Sequence, residues 1–90
     1  MDGQAAIRRA DGLPFQSIDG RILVVVPKRK EVHQLNETAS RVWMLLEEAR
    51  TLDGLVGALA GEYDADPATI RRDLETSVDE MRRKGLIVTG

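Results

Sequence analysis

Apolar residues follow two different periods along this chain, and the change between them divides it. From Phe15 to Leu35 the period is close to two. Phe15-Gln-Ser-Ile18 and Arg21-Ile-Leu-Val-Val-Val26 flank Asp19-Gly20, a dipeptide that accepts the positive φ angles of a tight hairpin turn. Closing the loop there pairs Ile18 with Arg21, Ser17 with Ile22, Gln16 with Leu23 and Phe15 with Val24. Phe15, Ile22, Val24 and Val26 then share one face, the expected core face, while Gln16, Ile18, Leu23 and Val25 form an unusually apolar outer face. Pro27 ends the second strand and Lys28-Arg29-Lys30 makes a charged turn. Glu31 to Leu35 is then expected to return as a short, polar third strand at the sheet edge.

After Asn36 the period becomes helical. Ala39, Val42, Trp43, Leu46 and Ala49 recur at i, i+3, i+4, i+7 and i+10, with Asn36 as N-cap and Glu37 on the positive end of the dipole. A second helix is predicted from Thr51, burying Leu52, Leu55, Val56, Leu59 and Tyr63 and weakened by Gly54 and Gly57. Asp66-Pro67 opens a third, with Ile70, Leu74, Val78 and Met81 inward and Gly85 as its stop. Leu86-Ile-Val88 follows as a short extended tail. Residues 1–13 show no sustained period and read as a partly ordered N-terminal arm without a core role, leaving residues 14–90 as the folded domain. The predicted class is α+β, a three-stranded antiparallel sheet followed by three helices, winged helix-turn-helix-like in order.

Ninety residues allow one modest core and no separate catalytic domain. The absence of cysteine excludes disulfides, a thiol nucleophile and cysteine-based metal sites. The N-terminal stretch does not resemble a signal peptide. The longest apolar run, Ile22 to Val26, is far short of the roughly 20 residues that span a bilayer, so a cytoplasmic protein with no membrane partner is expected. A net charge of −2 argues against broad phosphate binding, hence no nucleic-acid partner.

Candidate chemistry is sparse. His33 is the single histidine, and Val32 and Gln34 offer it no catalytic partner. Glu47-Glu48 and Asp79-Glu80 are placed on helices whose other faces are apolar, which makes them solvated charges. Arg71-Arg72 and Arg82-Arg83-Lys84 alternate with Asp73, Glu75, Asp79 and Glu80, the pattern of a charge-paired helix face. No phosphate loop, dinucleotide fingerprint or nucleophile elbow occurs. The chain is expected not to be an enzyme and to need no cofactor or metal.

His33-Gln-Leu-Asn-Glu-Thr-Ala-Ser-Arg-Val-Trp-Met-Leu-Leu46 resembles the helix-opening motif of the PqqD-like family, the recognition elements for ribosomally made precursor peptides. Ile18-Asp-Gly20 with its apolar strand, Thr51-Leu-x-x-Leu-Val-x-x-Leu59, and Asp73-Leu-x-x-x-Val-x-x-Met-x-x-x-Gly-Leu86 resemble that family's hairpin, second helix and third helix. The likeness runs from about Arg8 to Val88.

That resemblance implies a winged helix-turn-helix fold turned peptide binder. A precursor's leader adds as a strand to the third predicted strand, its side chains entering a groove beside the third helix. On this pattern the peptide-binding residues are Glu31, Val32, His33, Gln34 and Leu35 on the strand, and Arg71, Asp73, Leu74, Ser77 and Val78 across the groove. His33 and Leu35 face inward, Val32 and Gln34 outward, and Asp73 takes the family's acidic position. Two apolar anchors at about 1.5–3 kcal/mol each, less the ordering of the leader, give an affinity in the micromolar range. The implied partners are the leader peptide and a modifying enzyme such as a radical SAM protein or a leader peptidase. The chain itself is expected to be a monomer, or a weak dimer through Leu23 and Val25. The alternative is a winged-helix DNA-binding regulator, with Arg71, Arg72 and the Lys28-Arg29-Lys30 turn on phosphate.

Overall fold

The hairpin forms in the register that its turn dictates. In the computed structural model, which describes residues 4–90, β1 (Ala6–Arg9) precedes β2 (Phe15–Ile18) and β3 (Arg21–Val26). Phe15 faces Val24, Gln16 faces Leu23, Ser17 faces Ile22 and Ile18 faces Arg21. Asp19 and Gly20 take φ angles of 52° and 82°, the left-handed pair a two-residue turn requires. A single 3-10 turn at Pro27–Arg29 leads to β4 (Glu31–Gln34), and the sheet order β2-β3-β4 leaves β4 at an edge. The helices are α1 (Glu37–Leu45), α2 (Leu52–Glu62) and α3 (Pro67–Arg83), with β5 (Arg50–Thr51) and β6 (Ile87–Thr89) completing the chain. The expected α+β arrangement is therefore present. None of the helices described is long and apolar enough to cross a membrane.

A second sheet, ordered β5-β1-β6, was not expected. Ile7 pairs with Arg50 on one side and Thr89 on the other, and it is 1% exposed. The reading of the N-terminal segment as lacking a core role is corrected on this point, while Met1 to Gly3 of the expected arm lie outside the described residues. Ile7 alone supplies the apolar anchor, and its strand partners lie 43 or more residues away in sequence, so no local period announces the strand.

Arg9 then fastens this strand to α1. Its Nε and Nη2 both donate to the Trp43 carbonyl at 3.0 and 2.6 Å, in the last turn of the helix, where that carbonyl also accepts the Leu46 N–H at 3.2 Å. The guanidinium carbon lies 4.8 Å from the Phe15 ring centroid and 4.7 Å from that of Trp43, within cation–π range. The two rings meet edge to face at 5.4 Å. Burial lowers the pKa of Arg9, an effect the nearby Glu47 opposes. Phe15, expected in the core, is partly exposed because it covers the rim of Trp43 at the open end of the hairpin.

The first helix stops a turn earlier than its periodicity predicts. Leu46 is its C-cap, Ala49 is exposed, and Glu47 and Glu48 follow the helix. Arg50 turns back so that its Nε donates to the Leu45 carbonyl at 2.6 Å, and β1 draws Arg50 and Thr51 into a strand. Tyr63, expected inside, is partly exposed as the C-cap of α2. The end of α3 is sharply defined. Gly85 at φ 77° directs its N–H to the Arg82 carbonyl, and the Leu86 N–H reaches the Met81 carbonyl at 2.9 Å, the two bonds of a Schellman stop.

Candidate functional site

The geometry of the edge follows from which β4 groups the sheet already uses. Glu31 faces Val26, His33 faces Val24, and the Leu35 N–H continues the ladder to the Ile22 carbonyl at 2.8 Å. Bonded and non-bonded pairs alternate in an antiparallel ladder, so Glu31, His33 and Leu35 turn their main-chain groups toward β3. Val32 and Gln34 therefore turn their N–H and C=O groups away from the sheet, into solvent. These are the unused groups of the edge.

Ser40 sets this register. Its buried Oγ accepts the Ile22 N–H at 3.0 Å and donates to the Leu35 carbonyl at 3.2 Å. The hydroxyl is thereby inserted into the last rung of the β3–β4 ladder, and since Ser40 belongs to α1 it ties the helix to the edge. Asn36 caps that helix, its Oδ1 accepting the Ala39 N–H at 2.8 Å. Leu35 is 3% exposed and anchors the strand in the core, whereas Val32 on the outer face is 62% exposed.

Between β4 and the last turns of α3 lies an open cleft of about 450 Å³, lined by Arg29, Glu31, His33, Glu80, Arg83 and Lys84. His33 is half-buried on its wall, with Nε2 3.3 Å from Glu31 Oε1. Arg29 closes one end, its Nη1 donating to the Arg83 carbonyl at 3.3 Å.

The α3 residues expected across the groove divide three ways. Leu74 and Val78 have no exposed surface and belong to the core, because they lie on the stripe that packs inward with Ile70 and Met81. Arg71 is not brought to the cleft; its Nη2 pairs with Asp53 Oδ1 in the first turn of α2, the helix against which this part of α3 packs. Hydrogen bonding to Asp53 raises its pKa. Asp73 is exposed and Ser77 half-buried. They continue the helix face that carries Glu80 and Lys84, at successive spacings of four, three and four.

Glu80, Arg83, Lys84 and Arg29 were read in the sequence as a charge-paired helix face and a charged turn, outside the expected peptide site. Extending the Asp73–Ser77 spacing by one turn reaches Glu80 and by two reaches Lys84, so that signal was present. Nothing local points to Arg29, which arrives from the turn before β4. The same placement keeps the basic residues of the DNA-binding alternative apart. Arg71 is held by Asp53, and the Lys28-Arg29-Lys30 turn meets the opposite end of α3, roughly 18 Å along its axis from Arg71.

The family model described as coenzyme PQQ synthesis protein D (PqqD) matches residues 21–87, from the hairpin turn through α3 to β6. The chain belongs to the PqqD family. A relative, the PqqA binding protein of Xanthomonas oryzae pv. oryzae (strain PXO99A), is 30% identical over 86 residues, covering 96% of this chain and 91% of its own length. TbiB1, solved in complex with the TbiA(beta) leader peptide, superposes with a TM-score of 0.82 at 28% identity, covering 89% of this chain and 93% of that one. The PqqD part of Methylobacterium extorquens PqqCD, a stand-alone recognition element for ribosomally synthesised and modified peptides, superposes at 0.80 with 21% identity, covering 97% and 93%. This last likeness bears on the fold alone. The PqqD-family match begins at Arg21 and so leaves out β1, whereas the match to the Xanthomonas relative covers 96% of the chain.

Proposed function

We propose that this chain is a non-catalytic peptide chaperone that binds the leader of a ribosomally synthesised precursor by strand addition to β4, beside α3, and presents it to a modifying enzyme. The observation that carries the reading is the pair of outward-facing residues, Val32 and Gln34, next to an open cleft. A peptide adding there satisfies main-chain groups with little sequence demand, and its alternate side chains enter the cleft. Membership of the PqqD family supports it, as do the relative named for binding PqqA and TbiB1 with its leader.

On this reading Glu31 to Leu35 form the main-chain partner, His33 and Ser77 line the wall, Leu74 and Val78 support it from beneath, and Asp73 receives a basic leader residue. Residues 14–90 carry the recognition fold, with β1 as its brace. The modifying enzyme is of the radical SAM or leader-peptidase kind, the setting is the cytoplasm, and the chain works as a monomer or weak dimer. Titrating PqqA, the TbiA(beta) leader and precursor peptides encoded beside the gene into isotope-labelled protein tests this. At least one of them shifts the amides of Glu31 to Leu35 and of Ser77 to Lys84. If none of these peptides moves the edge amides, the proposal is overturned.

A further inference from the structure

Two basic clusters that are far apart in sequence meet at one end of the cleft. Lys28, Arg29 and Lys30 lie on the turn before β4, and Arg82, Arg83 and Lys84 close α3. Arg29 joins them through its bond to the Arg83 carbonyl, and its guanidinium passes so close to Gly85 that a Cβ there would lie 3.3 Å from it. Six cations thus share this end with three carboxylates, Glu31, Asp79 and Glu80, on a chain whose net charge is −2.

Internal pairing uses little of this charge. Asp79 is shared by Arg82 at 2.6 Å and Arg83 at 3.2 Å, and Glu31 is engaged with His33. Among the described residues, Lys28, Arg29, Lys30 and Lys84 form no ion pair. The negative end of the α3 dipole accounts for Arg82, Arg83 and Lys84. It does not account for Lys28 and Lys30, which stand on a separate turn.

The cleft opens directly into this cluster at the Glu31 end of β4. We propose that the basic end is a specificity-determining subsite for acidic side chains, so that the peptide bound on β4 carries Asp or Glu in the segment leaving the strand beside Glu31. The inference rests on the strand-addition reading above. Its physical basis is that the cations at a bound strand's exit repel like charges and steer opposite ones.

The test uses the full chain and a displayed library of random 16-residue peptides, followed by calorimetry on the enriched sequences. Acidic residues are expected to be enriched at a fixed offset on one side of an apolar segment. Replacing Lys28→Glu and Lys84→Glu together, both exposed and unpaired, weakens the enriched peptides at least tenfold while lowering the melting temperature by only a few degrees, the loss of a cation at the α3 C-terminus, and exchanging the peptide acids for lysine restores binding to this double variant. Enriched peptides that lose binding in Val32→Pro, yet show no acidic bias and bind the charge-reversed protein equally, overturn the subsite and leave strand addition standing. Peptides that bind Val32→Pro as well as the unaltered chain, or a library that yields no binder, overturn both.

Discussion

Proline substitution along β4 separates the groups that hold the fold from those offered to a partner. Proline lacks the N–H, so its effect depends on which way that N–H points. At Val32 or Gln34 the lost donor faces solvent, and the β3–β4 ladder keeps its bonds at Glu31, His33 and Leu35. Val32→Pro should leave the melting temperature within a few degrees of the parent. Each inter-strand bond to an added peptide is worth about 0.5–1.5 kcal/mol net, and a peptide carbonyl left without its donor costs about 1–3 kcal/mol. One such proline therefore weakens binding by about 1.5–4.5 kcal/mol, or roughly tenfold to two-thousandfold. His33→Pro removes a bond to Val24, which is 0% exposed. It should cost about 3 kcal/mol of stability, a fall on the order of 12–24 °C at about 4–8 °C per kcal/mol. The assay is thermal unfolding of the three variants, then titration of a bound peptide against those that fold. Unchanged binding by both Val32→Pro and Gln34→Pro would falsify strand addition to this edge. His33→Pro as stable as Val32→Pro would show that the phase of the ladder is reversed.

Other substitutions probe what supports the edge. Ser40→Ala deletes the hydroxyl in the last rung and leaves the Ile22 N–H and Leu35 carbonyl short of a partner; urea unfolding should register a loss of about 1–3 kcal/mol, and a change within 0.5 kcal/mol would mean that the rung closes without it. Ile7→Ala should cost about 2–5 kcal/mol because the side chain is 1% exposed, whereas a surface-like effect would deny β1 its place in the core. Arg41 donates through Nε and Nη2 to both Glu62 oxygens at 2.7 and 2.8 Å, and this hydrogen bonding holds the Glu62 pKa below its ordinary 4.5. A carboxylate with a lowered folded-state pKa contributes stability that is present above its unfolded value and lost as pH falls through the folded one. The melting-temperature advantage over Glu62→Gln should accordingly shrink from about pH 7 to about pH 3, and an advantage that grows on acidification contradicts the pairing.

The hairpin was legible in the sequence because its determinants are local. Asp19-Gly20 selects the turn, the turn sets the register, and the alternation of Ile22, Val24 and Val26 chooses the buried face. The starts of the helices were equally local. Asn36 and Thr51 act within three residues of themselves, and Pro67 stands at the first helical position. The edge position of β4 also followed, since a short polar strand at the end of a meander has a neighbour on one side only.

Tertiary structure alone decided the remainder. The β1 strand exists because Ile7 finds Arg50 and Thr89, and α1 stops early because Arg9 and Arg50 take its last carbonyls. Helical periodicity told which α3 residues share a face but not which neighbour each face meets. Leu74 and Val78 therefore went to the core and Arg71 to Asp53, while Glu80 and Lys84 came to the cleft. That Val32 and Gln34 also turn their main-chain groups to solvent needed one long-range rung, the Leu35 N–H on the Ile22 carbonyl. Composition could report a nearly neutral chain, but only the docking of Arg29 on the end of α3 gathers its cations at the mouth of the cleft. Local sequence writes turns, caps and periods because those interactions close within a few residues; it cannot write which distant surfaces meet, because that is chosen by the packing of the whole core.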